Sequence, residues 1–272
     1  MARTAIIIPA RFASSRFPGK PLAPLKGPDG VLRPALSYTW DAAVAAAAAL
    51  GRGTLCLIAT DDARIADFAQ QSGMDVVMTP ATCTNGTERC AAALDAIPDD
   101  VELVINLQGD APLTPAEMVA AVAARLEQDP GLAMATAAVP ASAEVVAHLQ
   151  TDAAAGRVGG TTVVCNRAGH ALYFSKSLIP HALPGTTMQA GMLLHVGLYA
   201  YRPSALRAYA AAETSLLELQ EGLEQLRFLD AGLPVGVAVC DPPAWAMIEL
   251  NNPTDVPLIE AEFARRTISE LA

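Results

Sequence analysis

The chain has 272 residues, 52% of them hydrophobic and 17% charged, with a net charge of −10 and a pI near 4.8. That balance describes a folded globule rather than a disordered chain, and its acidity excludes broad nucleic-acid binding, which needs a basic surface to displace phosphate counterions. The longest apolar run, AAVAAAAALG from Ala42, is far shorter than the roughly 20 residues of a membrane span. The first residues, MARTAIIIPARF, hold too short an apolar stretch for a signal peptide, so a cytoplasmic protein without membrane insertion is expected.

Through the first half, short β-branched runs alternate with helical patterns, the order of βαβ units around a mostly parallel sheet. The first strand is TAIIIP from Thr4, and PARFASSRFPGKPL from Pro9 to Leu22 follows it. Pro18, Gly19 and Pro21 make this segment a loop. Arg11, Arg16 and Lys20 gather three positive charges in it, at the carboxyl edge of the sheet, where open α/β sheets bind ligands. Guanidinium forks and a lysine point charge suit a polyphosphate, although neither a Walker A loop nor a G-x-G-x-x-G turn is present.

A helix over 34–50, a strand TLCLIAT from Thr54, a helix over 62–72, a strand DVVMT from Asp75 and a helix over 87–96 come next. The strand ELVINLQ from Glu102 then runs into Gly109 and Asp110, which sets a carboxylate beside the same sheet edge. Thr114 as N-cap, Pro115 and Glu117 mark the start of a helix over 115–128, and LAMATAAV from Leu132 is a further strand.

After about residue 140, TTVVCN, HALYFS and HVGLYAYR read as closely spaced strands, with loops near 153–160 and 183–191. The alternation of His195, Gly197 and Tyr199 places all three on one strand face. Leu216, Leu219, Leu223 and Leu226 then recur at helical spacing in one long helix, with Gly232 as its stop. Five scattered cysteines with no C-x-x-C pair are expected to be unreactive thiols rather than a disulfide or zinc framework. The whole reads as one α/β domain over 1–272, with a β-rich part at about 140–210.

Pro9, Ala10, Arg11, Ser14, Arg16, Pro18, Gly19, Lys20, Pro21 and Leu22 match P-A-R-x-x-S-x-R-x-P-G-K-P-L. In that pattern the chain resembles the 3-deoxy-manno-octulosonate (Kdo) cytidylyltransferases, and ATDD, NGTERC, INLQGDAPL, ALYFSKSLIP, LLHVGLYAYR and LEQLRFL extend the resemblance in the same order. The resemblance implies a glycosyltransferase-A-like nucleotidyltransferase fold, a mixed, mostly parallel sheet flanked by helices with a smaller β-rich insertion. It also implies transfer of CMP from CTP to the anomeric hydroxyl of a 2-keto-3-deoxy sugar acid, with release of pyrophosphate, in surface-polysaccharide synthesis. By the same resemblance Pro9, Ala10, Arg11, Arg16, Lys20, Asn85, Gly86 and Arg89 bind the nucleotide, with Arg11, Lys20 and Asp110 in catalytic roles. Asp110 is the expected Mg²⁺ ligand. Gln108, Lys176, His195, Tyr199, Glu224 and Gln225 hold the acid, the β-rich part serves substrate binding and dimerisation, and the protein is a homodimer.

Four positions depart from the family pattern. Ala111 stands where Q-G-D-E-P has glutamate, Thr162 where a lysine is usual, and Lys176 where Y-F-S-R has arginine. Asn251 replaces the aspartate that serves as second Mg²⁺ ligand; its carbonyl can still ligate the ion, but without a negative charge. If IELN is extended, Glu249 points to the same side as Asn251 and could supply the carboxylate; alternatively, Asn252 only caps the helix opened by Pro253, with Asp255 in its first turn. Two further readings stay open: a cytidylyltransferase for another acid, such as a nonulosonate or phosphonate, and a non-catalytic CTP-binding relative.

Overall fold

The computed structural model describes residues 3–51, 53–181 and 191–270, the last four by backbone alone. The chain gathers into two compact units, one of residues 1–120 with 243–272 and one of residues 121–242.

In the first unit β1 (Thr4–Ala10) is buried along its whole length, as a near-continuous apolar strand must be when both sheet faces are covered. A 3-10 turn at Lys20–Leu22 leads into a small antiparallel pair, β2 (Pro24–Lys26) and β3 (Leu32–Pro34), and then α1 (Ala35–Leu50). The chain continues through β4 (Leu55–Thr60), α2 (Ala63–Gln71), β5 (Val76–Met78), α3 (Gly86–Ala92) and β6 (Leu103–Leu107). These strands lie parallel in the order β6, β1, β4, β5. In the register, Ile7 faces Asn106, so the loops after β1 and β6 leave the sheet side by side.

The boundary between the units falls along α4 (Ala116–Gln128). At its start, the Thr114 hydroxyl donates to the Ala111 carbonyl at 3.0 Å.

The second unit holds β7 (Met134–Pro140), α5 (Ala143–Ala154), β8 (Thr162–Cys165), β9 (Ala171–Ser175), β10 (Leu193–Tyr201), α6 (Pro203–Ala211), α7 (Leu216–Glu221), α8 (Leu226–Asp230) and β11 (Val235–Val239). Its sheet is mixed: β11 runs parallel to β7, while β10 pairs antiparallel with both β7 and β8, and β8 with β9. The last helix, α9 (Val256–Glu270), belongs to the first unit. There Leu25, Tyr38, Leu113, Leu250, Ile259 and Phe263 form one buried cluster, and the Trp245 indole N–H donates to the Leu113 carbonyl at 2.9 Å. The stretches carrying Asp110 and Asn251 are therefore anchored in the same core.

Most expected elements form within a residue or two of their sequence bounds, but the long leucine helix does not. It is two short helices, α7 and α8, because Gly222 takes a left-handed conformation at φ 62 and ends the first. Leu223 and Leu226 are buried, whereas Leu216 and Leu219 are 67% and 68% exposed. Five elements, β2, β3, α5, α6 and β11, have no counterpart among the sequence expectations. The loop expected at 183–191 lies outside the described residues except for Gly191. No helix among the described residues is long and apolar enough to cross a membrane.

Candidate active site

The loop after β1 is shaped by Gly19. Its φ of 73 is in the left-handed region, and a Cβ there would lie 2.8 Å from the Phe12 ring; its N–H donates to the Phe12 carbonyl at 2.9 Å. The fold of this loop carries Lys20 inward, to an ion pair with Asp110 in which both side chains are largely buried. Asp110 comes from the loop after β6, which passes close to β1 at Gly109. A Cβ on Gly109 would meet the Pro9 carbonyl oxygen at 2.7 Å, so the approach admits only glycine.

A cavity of about 120 Å³ lies at this edge, lined on one side by Pro9, Ala10, Arg11 and Lys20 and on the other by Asn85, Gly86, Arg89, Gln108 and Asp110. Seven of the eight residues expected at the nucleotide are thus on its wall, all but Arg16. Asn85 is the N-cap of α3, its side-chain oxygen accepting the Glu88 N–H at 2.8 Å. Arg89 is buried beneath the wall and donates to Thr79 Oγ1 at 2.6 Å and Asp61 at 3.1 Å, which makes its guanidinium a support of the pocket. Arg11 reaches the Thr84 carbonyl at 3.4 Å. Gln108 donates to Asn106 Oδ1 at 3.1 Å, and this amide pair packs over Gly86, where a Cβ would stand 3.0 Å from Gln108 Nε2. Asn106, which no sequence motif singled out, is fully buried, and its Nδ2 has no partner among the described residues.

Arg16 is held elsewhere in the same unit. It donates to Asn251 Oδ1 at 2.8 Å, and Asn251 Nδ2 donates to Glu249 Oε2 at 3.2 Å. This arrangement settles the amide orientation, because a flipped Asn251 would face NH₂ to guanidinium and oxygen to carboxylate. IELN is not extended: the Asn251 N–H turns back to the Glu249 carbonyl at 3.0 Å, and Leu250 N–H donates to the Asp110 carbonyl at 2.8 Å. The turn itself brings the Glu249 and Asn251 side chains together. Asp255 caps the segment, accepting the backbone N–H groups of Asn251 at 2.8 Å and Asn252 at 2.6 Å. Part of Glu249 is solvent-exposed, yet the crowding chain, and after it the charge of Asp110, raises its carboxyl above the ordinary value; the Asn251 amide, Lys20 and Arg16 act the other way.

Within the second unit, β10 carries His195 and Tyr199 with ring centroids 5.6 Å apart. The register shifts between Val196 and Tyr199, where two extra residues of β10 bulge from the ladder. Gly197 lies in the bulge and not in the regular alternation expected, while the two-residue insertion keeps His195 and Tyr199 on one face. Tyr199 OH donates to Gln225 Oε1 at 3.4 Å, and the buried Gln225 Nε2 has no partner among the described residues. Lys176 Nζ lies over Gly222, 2.9 Å from where a Cβ would be, and the Lys176 N–H donates to Glu221 at 2.9 Å; Glu224 follows two residues on from Gly222. Thr162, by contrast, is buried and donates to the Ser177 carbonyl at 2.7 Å while accepting the Ile179 N–H at 3.3 Å. Its role is to fold the turn after β9. Phe174, edge-on to His195 at 5.1 Å, and Thr136, 3.0 Å from its Nε2, are contacts no sequence motif pointed to.

The cytidylyltransferase family profile matches residues 5–235. A 3-deoxy-manno-octulosonate cytidylyltransferase of Maricaulis maris is 41% identical over 258 residues, covering 95% of this chain and 96% of that protein. The chain belongs to this family. The enzyme of the same name from Zea mays is 36% identical, over 98% of this chain and 83% of that one. A solved CMP:2-keto-3-deoxy-manno-octonic acid synthetase, in complex with CTP, superposes with a TM-score of 0.81 at 30% identity, over 97% of this chain and 100% of that chain. The chain is therefore a CTP-dependent nucleotidyltransferase of the cytidylyltransferase family with its α/β fold, and the mixed strand order and flanking helices described above are that fold.

Proposed function

We propose that the chain transfers CMP from CTP to the anomeric hydroxyl of 3-deoxy-manno-octulosonate, and that Arg11, Lys20 and Asp110 line the donor site. The cavity at the carboxyl edge of β1 and β6, into which the cationic loop folds, carries this reading. In the reaction the hydroxyl oxygen forms a bond to the α-phosphorus of CTP, the bond from that phosphorus to the β-bridging oxygen breaks, and pyrophosphate leaves with the electron pair. The hydroxyl proton passes to solvent. No protein nucleophile is required: the chain's task is to orient the triphosphate and offset charge on the leaving oxygens. Arg11 and Lys20 on the cavity wall would meet that charge, and Arg16, oriented by the neutral Asn251 amide, would add to them.

The donor set fits Mg²⁺. Asp110 and Glu249 are hard oxygen donors close enough for one to raise the pKa of the other, a repulsion that a cation between them relieves. Among the described residues no group of three acidic, His or Cys side chains could hold a metal alone, so the triphosphate would complete the coordination. Asn251 has both ends of its amide engaged by Arg16 and Glu249, which favours Asp110 and Glu249 as the ligands and Asn251 as the strut. Bound there, Mg²⁺ supplies Lewis-acid stabilisation of the phosphate oxygens.

The second unit, with His195, Tyr199, Gln225, Glu224 and Lys176, is the proposed acid-binding part. The family's role in surface-polysaccharide synthesis, a homodimer and a cytoplasmic setting complete the proposal; five free thiols suit a reducing compartment. Pyrophosphate release is to be measured with CTP, Mg²⁺ and a panel of Kdo, other nonulosonates and phosphonates. Turnover with Kdo is expected; turnover only with another acid, or CTP binding without turnover, would overturn it.

A further inference from the structure

Thr136 lies on β7, fully buried, and its hydroxyl oxygen touches three groups at once: the Leu198 carbonyl at 2.8 Å, the Val196 carbonyl at 3.3 Å and His195 Nε2 at 3.0 Å. A hydroxyl has one proton. Two oxygens 2.8 Å apart require a hydrogen between them, and a carbonyl has none to give. The Thr136 proton is therefore committed to Leu198, and the contact with His195 is completed only if Nε2 carries a hydrogen and donates it to the hydroxyl.

The second ring nitrogen follows from the first. His195 is held edge-on by Phe174 and beside Tyr199, and burial pushes its pKa down to about 3, so the ring is neutral at physiological pH. With Nε2 protonated, Nδ1 is a bare lone pair. Among the described residues Nδ1 has no hydrogen-bond partner; although protein packs densely around the imidazole, the residue keeps some exposed surface and Nδ1 is not fully enclosed.

We infer that Thr136 is a positioning residue that fixes His195 as the Nε2–H tautomer, so that its open Nδ1 accepts a hydrogen bond from a hydroxyl of the polyol acid and does not read the carboxylate. The inference rests on the proposed acid-binding role of the second unit. A bare nitrogen repels a carboxylate and attracts an O–H, so the acid's charge must be met by other residues, Lys176 being the cation among those proposed to hold the acid. Thr136 also staples the bulge of β10, which carries both His195 and Tyr199 on one face; a purely structural role would end there.

The test is made on the full chain labelled with ¹⁵N-histidine, which has only four histidines to resolve. Long-range ¹H–¹⁵N spectra near neutral pH are expected to show His195 with Nε2 protonated and Nδ1 bare, and addition of Kdo is expected to move the Nδ1 shift toward that of a hydrogen-bonded nitrogen. T136V should give a mixture of tautomers and raise the KM for Kdo about tenfold, the loss of roughly one hydrogen bond, with the KM for CTP within about twofold; T136S should restore both tautomer and KM. A wild-type His195 that is Nδ1-protonated or charged, or, in an enzyme that turns Kdo over, an Nδ1 shift indifferent to it, overturns the inference, and both are read without any variant should T136V fail to fold. Absence of turnover with Kdo while the Nε2–H tautomer is present would instead overturn the proposed substrate and uphold the role of Thr136.

Discussion

Lys20 and Asp110, ninety residues apart in sequence, form an ion pair with most of both side chains withdrawn from water. The pair joins the loop after β1 to the loop after β6. Removing one partner leaves the other partly buried and unmatched, which costs about 2–3 kcal/mol of stability, somewhat below the cost in a dry interior. K20M is expected to lower Tm by several degrees and kcat by about 10²–10³, because the same ammonium would offset charge on the departing pyrophosphate. Calorimetry and steady-state pyrophosphate release check the two effects. A variant with the lowered Tm and an intact kcat would confine Lys20 to a structural role.

Asn251 bridges Arg16 and Glu249 through the two ends of one amide. N251D would set a second carboxylate against Glu249, whereas E249Q/N251D would return a single charge to position 251. The Mg²⁺ concentration giving half-maximal activity is expected to rise about tenfold in E249Q, the order of one lost charged contact, and to fall back toward wild type in the double variant. An E249Q enzyme with the wild-type Mg²⁺ curve would remove Glu249 from the metal site.

Much of this donor half is legible from residues alone. A β-branched run before a Pro- and Gly-rich cationic loop, and an apolar strand before Gly109 and Asp110, place both loops on one sheet edge once the sheet is taken as parallel. What pairs with what is not legible: nothing in the local pattern shows that Arg89 is anchored by Asp61 and Thr79 or that Arg16 is met from residue 251. Helical spacing misled at Leu216 and Leu219, since the 3- and 4-residue steps continue straight across Gly222, whose left-handed backbone ends the helix. Thr136 was invisible for a different reason. One threonine in an apolar strand is unremarkable until the bulge of β10 brings two carbonyls and an imidazole to its hydroxyl.

Gly86 opens α3 beneath the paired amides of Gln108 and Asn106. Alanine is worth about 0.5–1 kcal/mol more than glycine in a helix, but the added methyl would sit 3.0 Å from Gln108 Nε2 and 3.2 Å from Asn106 Nδ2. The two effects oppose each other in stability and not in function, because the Gln108 side chain must move away from the cavity wall. G86A is expected to keep a Tm close to wild type and lose about tenfold in kcat/KM for CTP, roughly 1.4 kcal/mol. Unchanged kcat/KM would mean that the amide pair can shift without disturbing the nucleotide.

His195 also gives the fold an acid liability. In the unfolded chain its pKa is the ordinary value near 6.5, while burial holds it to about 3 in the folded protein. Between these values the unfolded chain binds a proton that the folded one does not, so stability is highest above about pH 6.5 and falls as the pH drops through that window. Replacing the ring by an amide removes the titration. H195Q is expected to lose less Tm than wild type on going from about pH 7.5 to about pH 5.5, even if it starts lower, because the carboxylates paired in the native state titrate mainly below that range. Parallel thermal melts of the two proteins across this interval decide it: equal losses would mean that the imidazole takes up its proton in the folded state as readily as in the unfolded one.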